Sequence, residues 1–186
     1  VISMPILWYV NPLVAGLSAI AWLYYVVIYS VFLKTRSDQN IVIGGAAGSF
    51  PPLIGWVAIT GNIDLMAILL FLIVFFWTPP HAYALMLMLK EDYEKVNIPM
   101  LPVVRGEAVT MRHSLIYSFI LLAITVAPLS MSLAGILYAA FAIPLGIVFV
   151  YLAIRLYMTA DLLWAGRLFK YSTYYLGFLF IGLVLD

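Results

Sequence analysis

The chain has no cysteine. That absence excludes disulfides, iron–sulfur ligation, c-type haem attachment and a thiolate nucleophile, and it leaves the redox compartment open. Charge is scarce as well: 9% of the 186 residues are Asp, Glu, Lys or Arg, and the formal net charge is +1. With no basic tract, nothing supports a nucleic-acid partner. The opening VISMPILWYV has no charged start and no small-residue cleavage site, so no cleavable signal peptide is visible. No repeat period, low-complexity segment or linker interrupts the chain, which reads as one helical domain over residues 1–186. What is abundant is apolar material, 66% of all residues. Such a composition lies far outside the soluble range, so lipid must solvate most of the chain. The fold class that follows is all-α, a polytopic transmembrane helical bundle.

A helix needs about 20 apolar residues to cross the hydrocarbon core. Runs of that kind predict spans over 11–33, 41–59 and 65–89. From Ser114 to Ile154 no residue is charged, and as one helix that run would be about 60 Å long, twice the bilayer core. It is therefore two spans, 114–128 and 133–154, with a turn near Pro128 to Ser132. A short last span covers 171–185, and residues 1–10 read as the end of a partial one. Span 41–59 contains Gly44, Gly45, Gly48, Pro51, Pro52 and Gly55. Close helix packing is the ordinary use of such residues and ligand contact the alternative. If the spans alternate in direction, all nine Lys and Arg residues share one membrane face, and only Asp64 and Asp186 lie opposite. The positive-inside rule assigns the charged face to the cytoplasm or its topological equivalent, the mitochondrial matrix.

The charge that exists gathers in one place. Thr78 to Arg112, TPPHAYALMLMLKEDYEKVNIPMLPVVRGEAVTMR, holds four of the nine basic and four of the eight acidic residues. His81 is an ionisable side chain well inside a span, and intramembrane ionisable groups are usually functional. It either bonds carbonyls freed by Pro79 and Pro80 or contacts a ligand such as haem iron. If the helix continues to Tyr93, His81, Ala84, Leu85, Met88 and Asp92 lie along one face, because eleven residues make three turns. Around Asp92, the residues Lys90, Glu91, Glu94 and Lys95 form either a surface ladder, with Glu91 facing Lys95, or a hard-cation site. In the second case carboxylates hold magnesium, the metal holds a phosphate head group, and Arg105 and Arg112 add charge-assisted bonds. His113 is expected at the membrane interface rather than in the site.

Three stretches carry a resemblance: YSVFLKTRSDQNIVIGGAAGSFPPLIGWVAITG (Tyr29 to Gly61), FWTPPHAYALMLMLKEDYEKVNIPMLPVVRG (Phe76 to Gly106) and LFKYSTYYLGFLFIGLVLD at the end. They resemble the protohaem farnesyltransferases of the UbiA-type intramembrane prenyltransferase superfamily. The resemblance implies a helical bundle around a cavity open to the cytoplasmic or matrix face, with acidic motifs at its mouth. It implies transfer of a farnesyl group from farnesyl diphosphate to a vinyl group of protohaem, giving haem O and pyrophosphate, with Mg2+ as cofactor and haem as substrate. Matched residue by residue, Asp92, Lys90 and Tyr93 become catalytic and Asp92 and Glu91 metal ligands. His81, Lys34, Asn40, Arg105 and Arg112 become substrate-binding. Glu91 stands where aspartate is usual, Ala82-Tyr83 replaces a more aromatic pair, and His113 stands where glutamine is common.

An earlier acidic motif of the family has no counterpart here. The chain is therefore expected to be the C-terminal two-thirds of such an enzyme, lacking about two and a half spans and inactive alone. The alternatives are a shortened homologue, another UbiA-type prenyltransferase with a quinone-type aromatic or lipid acceptor, and a non-catalytic scaffold or transporter half. The expected location is a bacterial or mitochondrial inner membrane, with haem A synthase or oxidase-assembly proteins as partners.

Overall fold

The computed structural model describes residues 3–33 and 36–186. Among these residues the fold is all-α, without strands. In chain order the helices are α1 (Ser3–Val10), α2 (Pro12–Leu23) with a π-helical continuation (Tyr24–Leu33), α3 (Asn40–Thr60), α4 (Leu65–Met88), α5 (Lys90–Lys95), α6 (Leu101–Val104), α7 (Glu107–Ser130), α8 (Ile136–Thr159) and α9 (Leu162–Leu185). Six stretches are long and apolar enough to cross a membrane: Pro12–Leu33, α3, α4, α7, α8 and α9. A helix satisfies most of its backbone polar groups within the segment, which is what lipid demands, with the carbonyls opposite the prolines inside α3, α4, α7 and α8 as exceptions. Many large apolar side chains point outward, Ile59 at 89% exposure and Val184 at 86% among them. In lipid that exposure carries no hydrophobic penalty. The chain is an integral membrane protein.

Several helices run further than their charge-free cores. α7 begins at Glu107 rather than Ser114, α8 ends at Thr159 rather than Ile154, and α9 begins at Leu162 rather than Tyr171. The added turns contain Arg112, Arg155, Arg167 and Lys170. Long basic side chains reach the interface from within a helix, so a charge near the end does not stop it. α7 also continues through Pro128 to Ser130.

The chain divides into two compact units, Val1–Phe75 and Phe76–Asp186, with the boundary inside α4. In the first, Asn11 caps α2 by accepting the Leu13 N–H at 2.9 Å, with Pro12 in the first turn. A small core joins Val14 of α2 to Leu53 and Val57 of α3 and Ala67 of α4. The Tyr24 hydroxyl donates to the Ile43 carbonyl at 2.8 Å. Gly44 lies directly beneath the Tyr29 ring, where a Cβ would collide, so close packing is its role. Gly48 and Gly55 have open space beside them. Asp64 accepts the Ala67 N–H at 2.9 Å and the Trp56 indole N–H at 3.0 Å, fixing the start of α4.

The second unit packs α7 on α8 and α8 on α9. Buried tyrosines cross-link these helices. The Tyr138 hydroxyl donates to the Thr125 carbonyl at 2.9 Å, and Tyr175 shares a 2.6 Å hydrogen bond with the Thr125 hydroxyl. Tyr171 donates to the Leu145 carbonyl at 2.9 Å. Asp186 returns from the end of α9 to the start of α8, accepting the N–H groups of Gly135, Leu137 and Tyr138. Acceptors at a helix N-terminus satisfy its orphan donors and complement its dipole. At the other end of the hairpin, Arg155 and Trp164 meet across the α8–α9 turn. The two helices are therefore antiparallel, and within this unit the basic residues gather at the end away from Asp186.

Candidate active site

α4 stops at Met88 because Leu89 leaves helical geometry, at φ −105° and ψ 16°. The Leu89 N–H still bonds to the Leu85 carbonyl at 3.1 Å, but the Asp92 N–H reaches the Leu89 carbonyl, also at 3.1 Å. In an unbroken helix it would reach Met88, four residues back. The unbroken helix on which the wall from His81 to Asp92 depends is therefore corrected: α4 and α5 are separate helices, although Met88 and Asp92 still line one cavity.

His81 turns toward α9. Its Nδ1 lies 2.6 Å from the Ser172 hydroxyl oxygen, which itself donates to the Phe169 carbonyl at 2.6 Å. A serine has one proton to give. Since that proton goes to Phe169, His81 Nδ1–H is the donor to Ser172, and Nε2 keeps its lone pair. The ring is half-buried and stacked between Trp77 and Phe169, with centroids at 4.3 and 4.7 Å. Trp77 closes the arrangement by donating its indole N–H to the Ser172 carbonyl at 2.8 Å.

At the α4–α5 break, Glu91, Asp92, Glu94 and Glu107 border a cavity of about 420 Å³ together with Lys90. Leu87, Met88, Leu89 and Leu162 supply its apolar lining. Carboxylates and an amine thus meet the end of an apolar helix. Lys90 Nζ lies 3.0 Å from Glu107 Oε1 and 4.0 Å from Glu94 Oε1. The hydrogen bond to Glu107 and its charge hold the Lys90 ammonium above the ordinary lysine value. Lys95 Nζ pairs at 3.0 Å with Asp92, not with Glu91 as the ladder spacing suggests, and Asp92 raises its pKa in turn. Glu107 was not among the expected site residues. Its signal is local: Gly106, at φ 83°, adopts the left-handed conformation that favours glycine, and Glu107 follows as the first residue of α7.

The remaining candidates spread out. Tyr93 is half-buried on α5, Arg105 is exposed at the end of α6, and Arg112 is exposed on the second turn of α7. None of the three lines the carboxylate cavity. Asn40 is the first residue of α3 in the other unit and is buried. Lys34 lies outside the described residues. His113 packs near Tyr83, with ring centroids 6.4 Å apart, rather than only at the interface.

No ready-made cluster of three or more His, Asp or Glu ligands occurs among the described residues. Magnesium does not require one. It binds through one or two carboxylates, keeps several waters and takes its other ligands from substrate phosphates. Glu91 and Asp92 are both exposed and supply hard oxygen donors of the right kind, so the donor chemistry fits.

The model of the UbiA prenyltransferase family matches residues 1–182. The chain belongs to this family. A protoheme IX farnesyltransferase of Erythrobacter litoralis is 50% identical over 182 residues, covering 95% of this chain and 59% of that protein. One of Alkalilimnicola ehrlichii is 45% identical over 185 residues, covering 100% of this chain and 61% of that protein. The chain thus spans about three-fifths of the length of these two relatives. A solved chain from work on digeranylgeranylglyceryl phosphate synthase in membranes has a TM-score of 0.83 at 17% identity. It covers 95% of this chain and 62% of that one, and shares the fold. The UbiA assignment covers both compact units, so α3 with Asn40 and α4–α5 with the carboxylate cavity lie within the same family domain.

Proposed function

We propose that the chain forms part of a protohaem farnesyltransferase, which moves a farnesyl group from farnesyl diphosphate to a vinyl group of protohaem. The observation that carries the reading is the cavity at Leu89, where four carboxylates and Lys90 adjoin the apolar end of α4. A diphosphate head with an apolar tail calls for that juxtaposition. The names of relatives 45–50% identical to this chain supply the acceptor.

In this reading Asp92 and Glu91 would hold Mg2+, which would supply positive charge to offset the negative charge developing on the leaving group. The C1–O bond of farnesyl diphosphate breaks with its electron pair going to pyrophosphate. Lys90 bonds to the departing oxygens, and Arg105 and Arg112 add positive charge where charge develops; Lys34 is a further substrate-binding candidate. The vinyl π electrons then form the new C–C bond to the allylic cation. Water captures the resulting haem-side cation and loses a proton, giving the hydroxyethylfarnesyl group of haem O. Tyr93, next to Asp92 on α5, and Asn40 at the start of α3 are further candidates for substrate contact, and His81 offers the Nε2 lone pair to the haem. The charged loops face the cytoplasm, or the matrix in a mitochondrion, because positive residues are retained on that side. The membrane is an inner membrane, as befits the bacterial relatives. Haem O with its farnesyl tail stays in the bilayer, so its recipient is a membrane-bound partner such as haem A synthase or an oxidase-assembly protein.

The test is product formation. Membranes expressing the complete coding sequence, given protohaem, farnesyl diphosphate and Mg2+, are expected to produce haem O by mass spectrometry. Prenylation of a quinone precursor with no conversion of haem would overturn the acceptor.

A further inference from the structure

We propose that the α8–α9 corner binds the phosphate of an anionic phospholipid through Arg155, Trp164 and Arg167. The guanidinium carbon of each arginine stands 4.5 Å from the centroid of the Trp164 ring. The two cations therefore lie no more than about 9 Å apart, twice that distance. Tyr151 meets the indole edge-on, at 6.2 Å and 88°, and fixes its plane. A guanidinium packed over a ring uses its flat face and keeps its N–H edges for an acceptor.

That acceptor is not a protein carboxylate. Among the described residues neither Arg155 nor Arg167 forms an ion pair with a carboxylate. Asp161, the nearby acid, caps α9 by accepting the Leu163 N–H at 2.8 Å. Two like charges within about one Debye length, ~8 Å, repel. A phosphate at the corner offsets that repulsion and accepts charge-assisted bonds from the free guanidinium edges.

The depth selects a lipid. Arg155 precedes the end of α8 at Thr159 and Arg167 follows the start of α9 at Leu162, each by four or five residues. At ~1.5 Å per residue both sit about 6–8 Å inside the corner. Beyond them, toward the tip, Tyr157, Met158 and Leu163 are exposed. Apolar side chains outside the charges place the arginines at headgroup level, between helices, as in other basic sites for acidic lipids. The site is separate from the carboxylate cavity, which none of Arg155, Trp164 and Arg167 lines. It does not rest on the transferase reading.

Native mass spectrometry of the protein from its complete coding sequence, released from nanodiscs with equal phosphatidylglycerol and phosphatidylcholine, tests the proposal. Phosphatidylglycerol is expected to be retained about tenfold over phosphatidylcholine, and R155Q/R167Q to abolish the preference. R155K/R167K, which keeps the charge without the fork, is expected to fall between them, and its folding guards against a merely unfolded double variant. Excess pyrophosphate is expected to leave the lipid in place. Equal retention of both lipids by the wild type, undiminished retention in R155Q/R167Q, or displacement by pyrophosphate would each overturn the lipid site, the last by assigning it to a soluble diphosphate.

Discussion

Ser172→Ala isolates the bond that orients His81. Ser172 is fully buried, and its hydroxyl both accepts from His81 Nδ1 and donates to the Phe169 carbonyl, each at 2.6 Å. The substitution removes one oxygen, so the cavity left behind is small and the polar terms dominate. A buried donor stranded in a protein core costs about 1–3 kcal/mol. Cycles between membrane helices are gentler, averaging about 0.6 and reaching about 1.7 kcal/mol, because the unfolded helices find other partners in the bilayer. The Phe169 carbonyl loses an extra donor and keeps its place in the helix, which adds little. The expected loss is therefore about 1–1.5 kcal/mol. Reversible unfolding in mixed micelles, followed by circular dichroism, measures it. His81→Phe retains a flat ring between Trp77 and Phe169 while removing the N–H, so the double-mutant cycle with Ser172→Ala isolates the bond. Its coupling is expected near 1 kcal/mol. Nitrogen chemical shifts of His81 are expected to report a proton on Nδ1 in the wild type and a mixed tautomer in the variant. Additivity within about 0.3 kcal/mol, or a proton resident on Nε2 in the wild type, would refute the reasoning.

Two other outcomes follow from the charged groups. Asp92 is exposed, with its side chain 69% accessible, so in the protein from the complete coding sequence Asp92→Asn is expected to unfold at the wild-type midpoint while the proposed turnover drops about a hundredfold or more; full activity would remove Asp92 from the proposed metal site. The Ala67 N–H, then the Trp56 indole, hold the Asp64 carboxyl below its ordinary value. A depressed carboxylate stabilises the fold above its unfolded pKa, about 3.8, and loses that contribution as pH falls through the lower folded value. Acidification below about pH 4 is expected to reduce thermal stability less in Asp64→Asn than in the wild type, and equal acid sensitivity would dissociate Asp64 from the effect.

Membrane insertion, all-helical class and the charged stretch at residues 78–112 were legible because composition and charge segregation dictate them directly. Span ends were not, since a charge-based boundary stops at Arg155 or Lys170 whereas the helix runs on while their side chains reach for the interface. The break in the helix between His81 and Asp92 was not legible either. Arithmetic on a helix holds only while the ladder does, and nothing in Met-Leu-Lys announces that Leu89 will leave it. His81 stands out in the sequence as an ionisable group within a span, yet its hydrogen-bond partner lies 91 residues away on α9, beyond any local pattern. Glu107 escaped notice because sixteen residues and a short helix separate it from Lys90. Only the fold makes them neighbours. The small-residue run on α3 shows the converse limit: one glycine is pressed against a ring, and two others touch nothing.

The short helix α5 has six residues, well below the length at which a helix persists in water unaided. Its order is therefore borrowed. Part of the loan comes from Lys90 reaching across to Glu107, a contact exposed enough for dissolved ions to weaken. An incoming anion that recruits Lys90 takes it from Glu107 and loosens the anchor of the very segment that carries Asp92. The acidic rim is consequently a region of low local stability, where amide exchange reports ionic strength and ligand before any spanning helix responds.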